Sequence, residues 1–361
     1  MFDSAEHGAE VFAGAREGYI YGRTKNPTQT ILEQRLADLE GAEAALGVAS
    51  GMAAISALLW TLLDAGSQVL IDKVLYGSTF ALFTKGLPRF GVKVSIADFT
   101  QPQTVAAAIG KDTRLLFFES PANPNLRVID ITAIAALGRS ANVLTIVDNT
   151  FATPALQRPI AHGADVVVHS ATKYLGGHGD LIAGAIVGPA EIVQKIRLQG
   201  LRYLTGATLS PLSAFLILRG LKTLELRMAQ HSRSALAVAE MLSTHPAVAA
   251  VYYPGLADSP QADVVRRQMA AGSGLVAFEL KGGLAAVRNL INTLKLARCA
   301  VSLGDAETLI EHPATMTHAA YSAAERAQYG ISDGLVRMSI GLESTEDILD
   351  DLARALECCV S

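Results

Sequence analysis

Cysteine is scarce in this chain: only Cys299, Cys358 and Cys359 among 361 residues. An odd count with two adjacent members gives no disulfide framework, and none has metal-ligand spacing. Charge of one sign is equally lacking. Lys and Arg number 30 against 34 Asp and Glu, and no basic run occurs, so nucleic acid has no electrostatic footprint here. The longest apolar stretches, SALLWTLL (56–63) and LSAFLILRGL (212–221), fall short of the roughly 18 residues that a membrane helix requires. The N-terminus MFDSAEHGAEVFAG carries acids where a secretory leader carries bases. These absences together predict a cytoplasmic protein of a reducing compartment.

Several functional motifs are missing too. No G-x-G-x-x-G follows the first strand-like run, and GGHGD (176–180) lacks the Lys-Ser/Thr of a phosphate-binding P-loop. His312 and His318 are too far apart to pair as metal ligands on one helical turn, so no metal is expected. Ser302 has no evident histidine partner, which removes a hydrolase reading. His178 and His231 read as structural histidines.

What is present is a chain half hydrophobic and only 18% charged, long enough for about two domains. From Asn26 to about residue 190, apolar runs alternate with helical patterns. The runs are ALGVAS (45–50), SQVLIDK (67–73), KVSIADF (93–99), TRLLFFES (113–120), NVLTIVDN (142–149), ADVVVHSA (164–171) and LIAGAIVG (181–188). Helical patterns cover 30–45, with Asn26 as cap, Pro27 at the first position and Glu33 in the first turns, and 52–66. This alternation predicts a mostly parallel seven-stranded sheet whose strands are buried on both faces. After a long helical region (209–243), the runs at 248–255, 273–282, 297–304 and 334–344 predict a smaller α/β domain. The boundaries that follow are 1–25 as an N-terminal arm, 26–222 as the large domain and 223–361 as the C-terminal domain.

In open α/β sheets, ligands bind beyond the carboxyl ends of the strands. Those ends carry Ser50-Gly51-Met52, Tyr76, Ser120, Asp148 and Lys173. Taken singly, Gly51 is an ordinary turn, Tyr76 a rim aromatic, Asp148 a turn former and Lys173 a surface lysine. One ligand would use them all. It needs an anion cradle at a helix start, a flat face to stack on, a carboxylate for a ring nitrogen and an amine for an aldehyde. Pyridoxal 5′-phosphate presents each complementary group.

The segments YGRTKNPT (21–28), ASGMAAI (49–55), LYGST (75–79), ESPANP (119–124), VDNTFATP (147–154), VVHSATKYLGGHGD (167–180), YYPGL (252–256), AVSLGDAETLIEHPATMTH (300–318) and GLVRMSIGLE (334–343) resemble the Cys/Met-metabolism, or trans-sulfuration, family. These are fold-type-I pyridoxal-phosphate enzymes, and the resemblance covers nearly the whole chain. Within the family, the segments look closest to the bacterial methionine γ-lyases. The resemblance implies α,γ-elimination of L-methionine and related sulfur amino acids to 2-oxobutanoate, ammonia and a thiol. Its alternatives are cystathionine γ-lyase or homocysteine desulfhydrase activity, then O-acylhomoserine sulfhydrylase activity, then a non-catalytic cofactor-binding homologue.

By position, the resemblance makes Lys173 the cofactor lysine and proton shuttle, and Asp148 the partner of the ring nitrogen. Gly51, Met52, Ser170 and Thr172 become phosphate binders. Tyr76 becomes the stacking residue and acid for the leaving thiol, and Asn123 a contact to cofactor or substrate. Ser302 and Arg337 become the carboxylate site, where a planar fork suits a carboxylate. Tyr21 and Arg23 reach the phosphate of a neighbouring subunit, which implies a homotetramer built from catalytic dimers. Three departures bear on specificity and assembly. Ser78 stands where methionine γ-lyases carry cysteine, and Arg202-Tyr203 where they carry Lys-Asp. The family's N-terminal arm is represented by few residues. Val301, where cystathionine γ-lyases carry glutamate, leaves the substrate end apolar.

Overall fold

The computed structural model describes residues 1–359. A short helix α1 (Ala5–Phe12) precedes α2 (Pro27–Glu40). Asn26 accepts the Gln29 N–H at 2.9 Å, and Pro27 opens α2, as the sequence predicts. The helix stops earlier than its apolar pattern does, because Gly41 turns left-handed (φ 73°) and Ala44 already belongs to the first strand. Glu33 is not a first-turn acid serving the helix dipole. It is buried against that strand, accepting the Gly47 N–H at 2.9 Å and pairing with Arg197 at 2.7 Å.

The seven predicted apolar runs all form strands: β1 (Ala44–Val48), β2 (Gln68–Asp72), β3 (Lys93–Ala97), β4 (Thr113–Glu119), β5 (Leu144–Asp148), β6 (Val166–His169) and β7 (Gly184–Gly188). They make one sheet in the order β1-β7-β6-β5-β4-β2-β3, with only β7 running against its neighbours. The three valines of β6 show the two-faced burial: Val167 packs with Leu32 and Ala185, whereas Val166 and Val168 pack with Leu46 and Ile71. One strand departs from that expectation. β3 is an edge strand, and Lys93 and Ile96 are exposed on it. Helix α3 (Gly51–Leu62) runs back across the sheet, and the short α4 (Gly77–Ala81) follows β2.

The smaller sheet holds β8 (Val248–Tyr252), β9 (Leu275–Leu280), β10 (Arg298–Cys299), β11 (Leu309–Glu311) and β12 (Leu335–Ser339), in the order β10-β11-β12-β9-β8. β11 has no counterpart among the predicted runs, since three residues carry too little pattern. The long helical region is two helices, Pro211–Leu221 and Leu224–Thr244, joined at Lys222-Thr223. We propose that joint as the boundary between the large and C-terminal domains. No helix among the described residues is long and apolar enough to cross a membrane.

Candidate active site

Beyond the carboxyl ends of β4, β5 and β6, a cavity of about 290 Å3 opens between the two sheets. Its lining includes Gly51, Met52, Tyr76, Asn123, Asp148, Ser170, Thr172, Lys173, Val301, Ser302 and Arg337. Eleven residues drawn from seven segments of the sequence therefore converge on one space.

Lys173 follows β6 in a tight turn, its N–H donating to the Ser170 carbonyl at 3.1 Å. The amine Nζ donates to Ser302 Oγ at 3.0 Å. Burial, and then the charge of Arg337, push this lysine down to about 8. Close to neutral pH it therefore holds an appreciable neutral fraction, unlike an ordinary surface lysine.

At one end of the cavity, Ser50 caps α3 by accepting the Ala53 N–H at 3.0 Å. The first N–H groups of α3, at Gly51 and Met52, have no partner within the helix. A Cβ at Gly51 would lie 2.8 Å from the Ser170 side chain, so only glycine lets the serine hydroxyl sit at the helix start. That is an anion cradle. The Thr172 hydroxyl is engaged with Ala183, donating to its carbonyl at 3.1 Å and accepting its N–H at 3.0 Å.

The floor is acidic. Asp148 accepts the Thr150 N–H at 3.0 Å, and burial pushes its carboxyl up. No cationic side chain pairs with it among the described residues, so a protonated ring nitrogen is the missing complement. Beside it in the parallel ladder stands Glu119. Burial, then the neighbouring Asp148 charge, push Glu119 well up. Its two oxygens accept the Tyr76 N–H at 2.7 Å and the Asn123 N–H at 3.0 Å, tying two cavity loops together.

At the far end, Arg337 on β12 is buried. It donates to Asn123 Oδ1 at 2.8 Å and to the Val301 and Ser302 carbonyls at 3.2 and 3.3 Å, and it pairs with Glu311 at 2.8 Å. Its Nε has no partner. Glu311 also accepts the Thr317 hydroxyl at 2.9 Å. Glu119, Glu311 and Thr317 did not stand out in the sequence. Their only signal is an acid or hydroxyl inside otherwise apolar segments that end at the same sheet edge.

Other predicted residues lie apart. Ser78 is exposed on α4 and does not line the cavity. Tyr21 and Arg23 lie on the exposed segment before α2, the guanidinium 5.3 Å from the tyrosine ring. Arg202 and Tyr203 are exposed on the helix Ile196–Thr205.

The arrangement fits pyridoxal 5′-phosphate: a cradle that a Cβ would fill, a half-buried carboxylate without a cationic partner among the described residues, and a half-buried amine pushed down to about 8. Fold and site together define a pyridoxal-phosphate-dependent enzyme of fold type I. The chain belongs to the Cys/Met metabolism PLP-dependent enzyme family, whose model matches residues 1–357. It is 52% identical over 356 residues to an L-methionine gamma-lyase of Pseudomonas putida, covering 99% of this chain and 89% of that one. A cystathionine gamma-lyase structure from Lactobacillus plantarum, complexed with L-serine, superposes with TM-score 0.92 at 39% identity, covering 95% of this chain and 90% of that one. A Campylobacter jejuni structure assigned as an O-acetylhomoserine (thiol)-lyase superposes with TM-score 0.96 at 33% identity, covering 99% of this chain and 93% of that one. It carries a pyridoxyl-lysine monophosphate. The chain is thus a carbon–sulfur lyase of this family.

Proposed function

We propose that this enzyme catalyses α,γ-elimination of L-methionine, which with one water taken up in hydrolysis of the released enamine yields 2-oxobutanoate, ammonia and methanethiol. The observation that carries this reading is one cavity bringing together Lys173, whose amine is pushed down to about 8, Arg337, and an apolar rim of Val301 and Ile182. The last two are 55% and 68% exposed, so a thioether chain can reach them. Bound pyridoxal 5′-phosphate supplies the electron sink.

The chain's own groups do the rest. The Gly51 and Met52 N–H groups and Ser170 would hold the phosphate, joined by Thr172 once its hydroxyl proton turns from the Ala183 carbonyl, and Asp148 would hold the ring nitrogen. Tyr76, which lines the cavity, would stack on the ring. Arg337, steadied by Asn123 and Glu311, clamps the substrate carboxylate and so directs the Cα–H bond toward Lys173. The neutral Lys173 amine removes the Cα proton, and Ser302 keeps that amine in place between transfers. The Tyr76 phenol hands a proton to the departing sulfur. Tyr21 and Arg23 reach the phosphate of a second copy, which makes the working unit a homo-oligomer, a tetramer of paired catalytic dimers. Its workplace is the cytoplasm, where Cys299 and Cys358, both exposed, stay reduced.

The test is keto-acid release from L-methionine by the native protein and by Lys173→Ala. General acid–base help contributes about 10²–10⁴-fold per transfer, so the variant should lose at least that factor. Near-normal turnover by Lys173→Ala would overturn the assignment. A second reading has its own support in Ser78, Arg202 and Tyr203, which differ from the methionine γ-lyase pattern. It is cystathionine or homocysteine cleavage, and kcat/KM on the three substrates decides between them.

A further inference from the structure

Along a strand, successive side chains point to opposite faces. Glu119, Asp148 and Ser170 line the cavity, whereas their chain neighbours Ser120, Asn149 and His169 do not. Behind the floor, these three meet one another through a buried polar chain. Glu40, the last residue of α2, has Oε1 2.7 Å from His169 Nε2 and accepts the Asn149 amide at 3.0 Å. Asn149 also donates to the Gln157 carbonyl at 2.9 Å, and Gln157 donates to the Ser120 carbonyl at 2.6 Å. Gln268 closes the chain, donating to Gln157 Oε1 at 3.0 Å.

The Glu40 and His169 side chains are each 1% exposed. A carboxylate at a helix C-terminus opposes the helix dipole, and burying it there is costly without a partner. Local preference is violated twice at Glu40, and such violations mark sites retained for something other than the element itself. One carboxylate oxygen serves the residue that follows Asp148 and the residue that precedes Ser170. Burial raises the Asp148 carboxyl, and the hydrogen bonds of Thr150, then the neighbouring His169, act against that rise.

We propose that Glu40 and His169 are positioning residues of the cofactor pocket. The pair clasps the ends of β5 and β6 from behind and sets the spacing between Asp148 and the segment Ser170–Lys173. This rests on the reading of the cavity given above, but it concerns residues that touch neither substrate nor cofactor. The sequence 167–180 contains His169 beside the phosphate and lysine residues, yet its role is set by Glu40, 129 positions away.

The experiment follows the loss of the visible cofactor band when purified holoenzyme is dialysed against cofactor-free buffer, with melting temperature measured in parallel. Glu40→Gln and His169→Gln should each lose cofactor about 10–100-fold faster, as outer partners of a bound group typically do. The double variant should be no worse than the poorer single, since the two residues act as a unit. Should the singles fail to fold, Glu40→Met/His169→Leu replaces the pair by apolar groups, which buried ion pairs often tolerate. This variant should fold and still lose cofactor rapidly. A folded apolar double that keeps cofactor as the native enzyme does would overturn the proposal and leave the pair merely structural. Band retention needs no substrate. A native enzyme inactive on methionine would therefore sink the proposed reaction while leaving this comparison intact.

Discussion

Lys173 shows how far a single residue's chemistry depends on its surroundings. In water its amine would titrate near 10.5; here burial, and then Arg337, bring it to about 8. The consequence is measurable after cofactor removal. The neutral amine attacks the aldehyde, so the rate at which the cofactor-free protein regains its visible band should climb through about pH 8 and then level off. A rate still climbing past pH 9.5 would mean that the amine is not desolvated as the structure requires. Asp148 and Glu119 show the converse. They are adjacent carboxylates, Glu119 buried and Asp148 half-buried, both pushed up by burial, and hydrogen bonds occupy both oxygens of Glu119 but only Oδ1 of Asp148. That asymmetry is what leaves Asp148 open to a ring nitrogen.

Among the elements, the turn from β2 into α4 is the most constrained. Tyr321 donates to the Leu75 carbonyl at 2.9 Å, Glu119 accepts the Tyr76 N–H, and Gly77 packs on the Thr317 backbone. A Cβ at Gly77 would collide with the Thr317 carbonyl oxygen. Gly77→Ala must therefore push Tyr76 off the cavity. We expect kcat/KM on the best substrate to fall by about 10²-fold, the usual cost of a small misplacement, with the cofactor still bound. Unchanged kcat/KM would show that Tyr76 is not placed by this turn. The half-buried Asp72–Arg127–Asp98–Lys73 network braces the same region. Burial alone would raise Asp98, but the hydrogen bonds from Lys73 and Thr100 and the charge of Arg127 outweigh it and hold the carboxyl down at about 2. A depressed carboxylate stabilises the fold above its unfolded pKa, and that stability is lost as pH falls toward 2.

At the scale of the whole molecule, large apolar side chains stand exposed on helices packed over one side of the large sheet. Ile31 on α2 and Leu212 and Phe215 on the neighbouring helix are 56%, 67% and 56% exposed. Such surfaces fit association with further copies of the chain. Phe215→Glu should therefore lower the mass found by light scattering. On the proposed reading, in which Tyr21 and Arg23 reach a second copy's phosphate, it should also weaken cofactor retention. A variant of unchanged mass and cofactor retention would place the interface elsewhere.

The sequence by itself determined the seven strands of the large sheet, because each reads as a short apolar run between helical patterns. It brought Gly51, Tyr76, Asp148 and Lys173 together as one candidate site, because their residue types at strand ends match one ligand, and they line one cavity. Helix α2 overran its true end, since a left-handed glycine is invisible to periodicity. β11 was decided by neighbours and not by pattern, as was the exposure of β3 at the sheet edge. Only the tertiary structure joined Glu119 to both Tyr76 and Asn123, Glu311 to Arg337, and Glu40 to His169. Those pairings span tens to hundreds of residues, and a buried carboxylate's partner is fixed by where the chain returns in space, for which local sequence carries no signal.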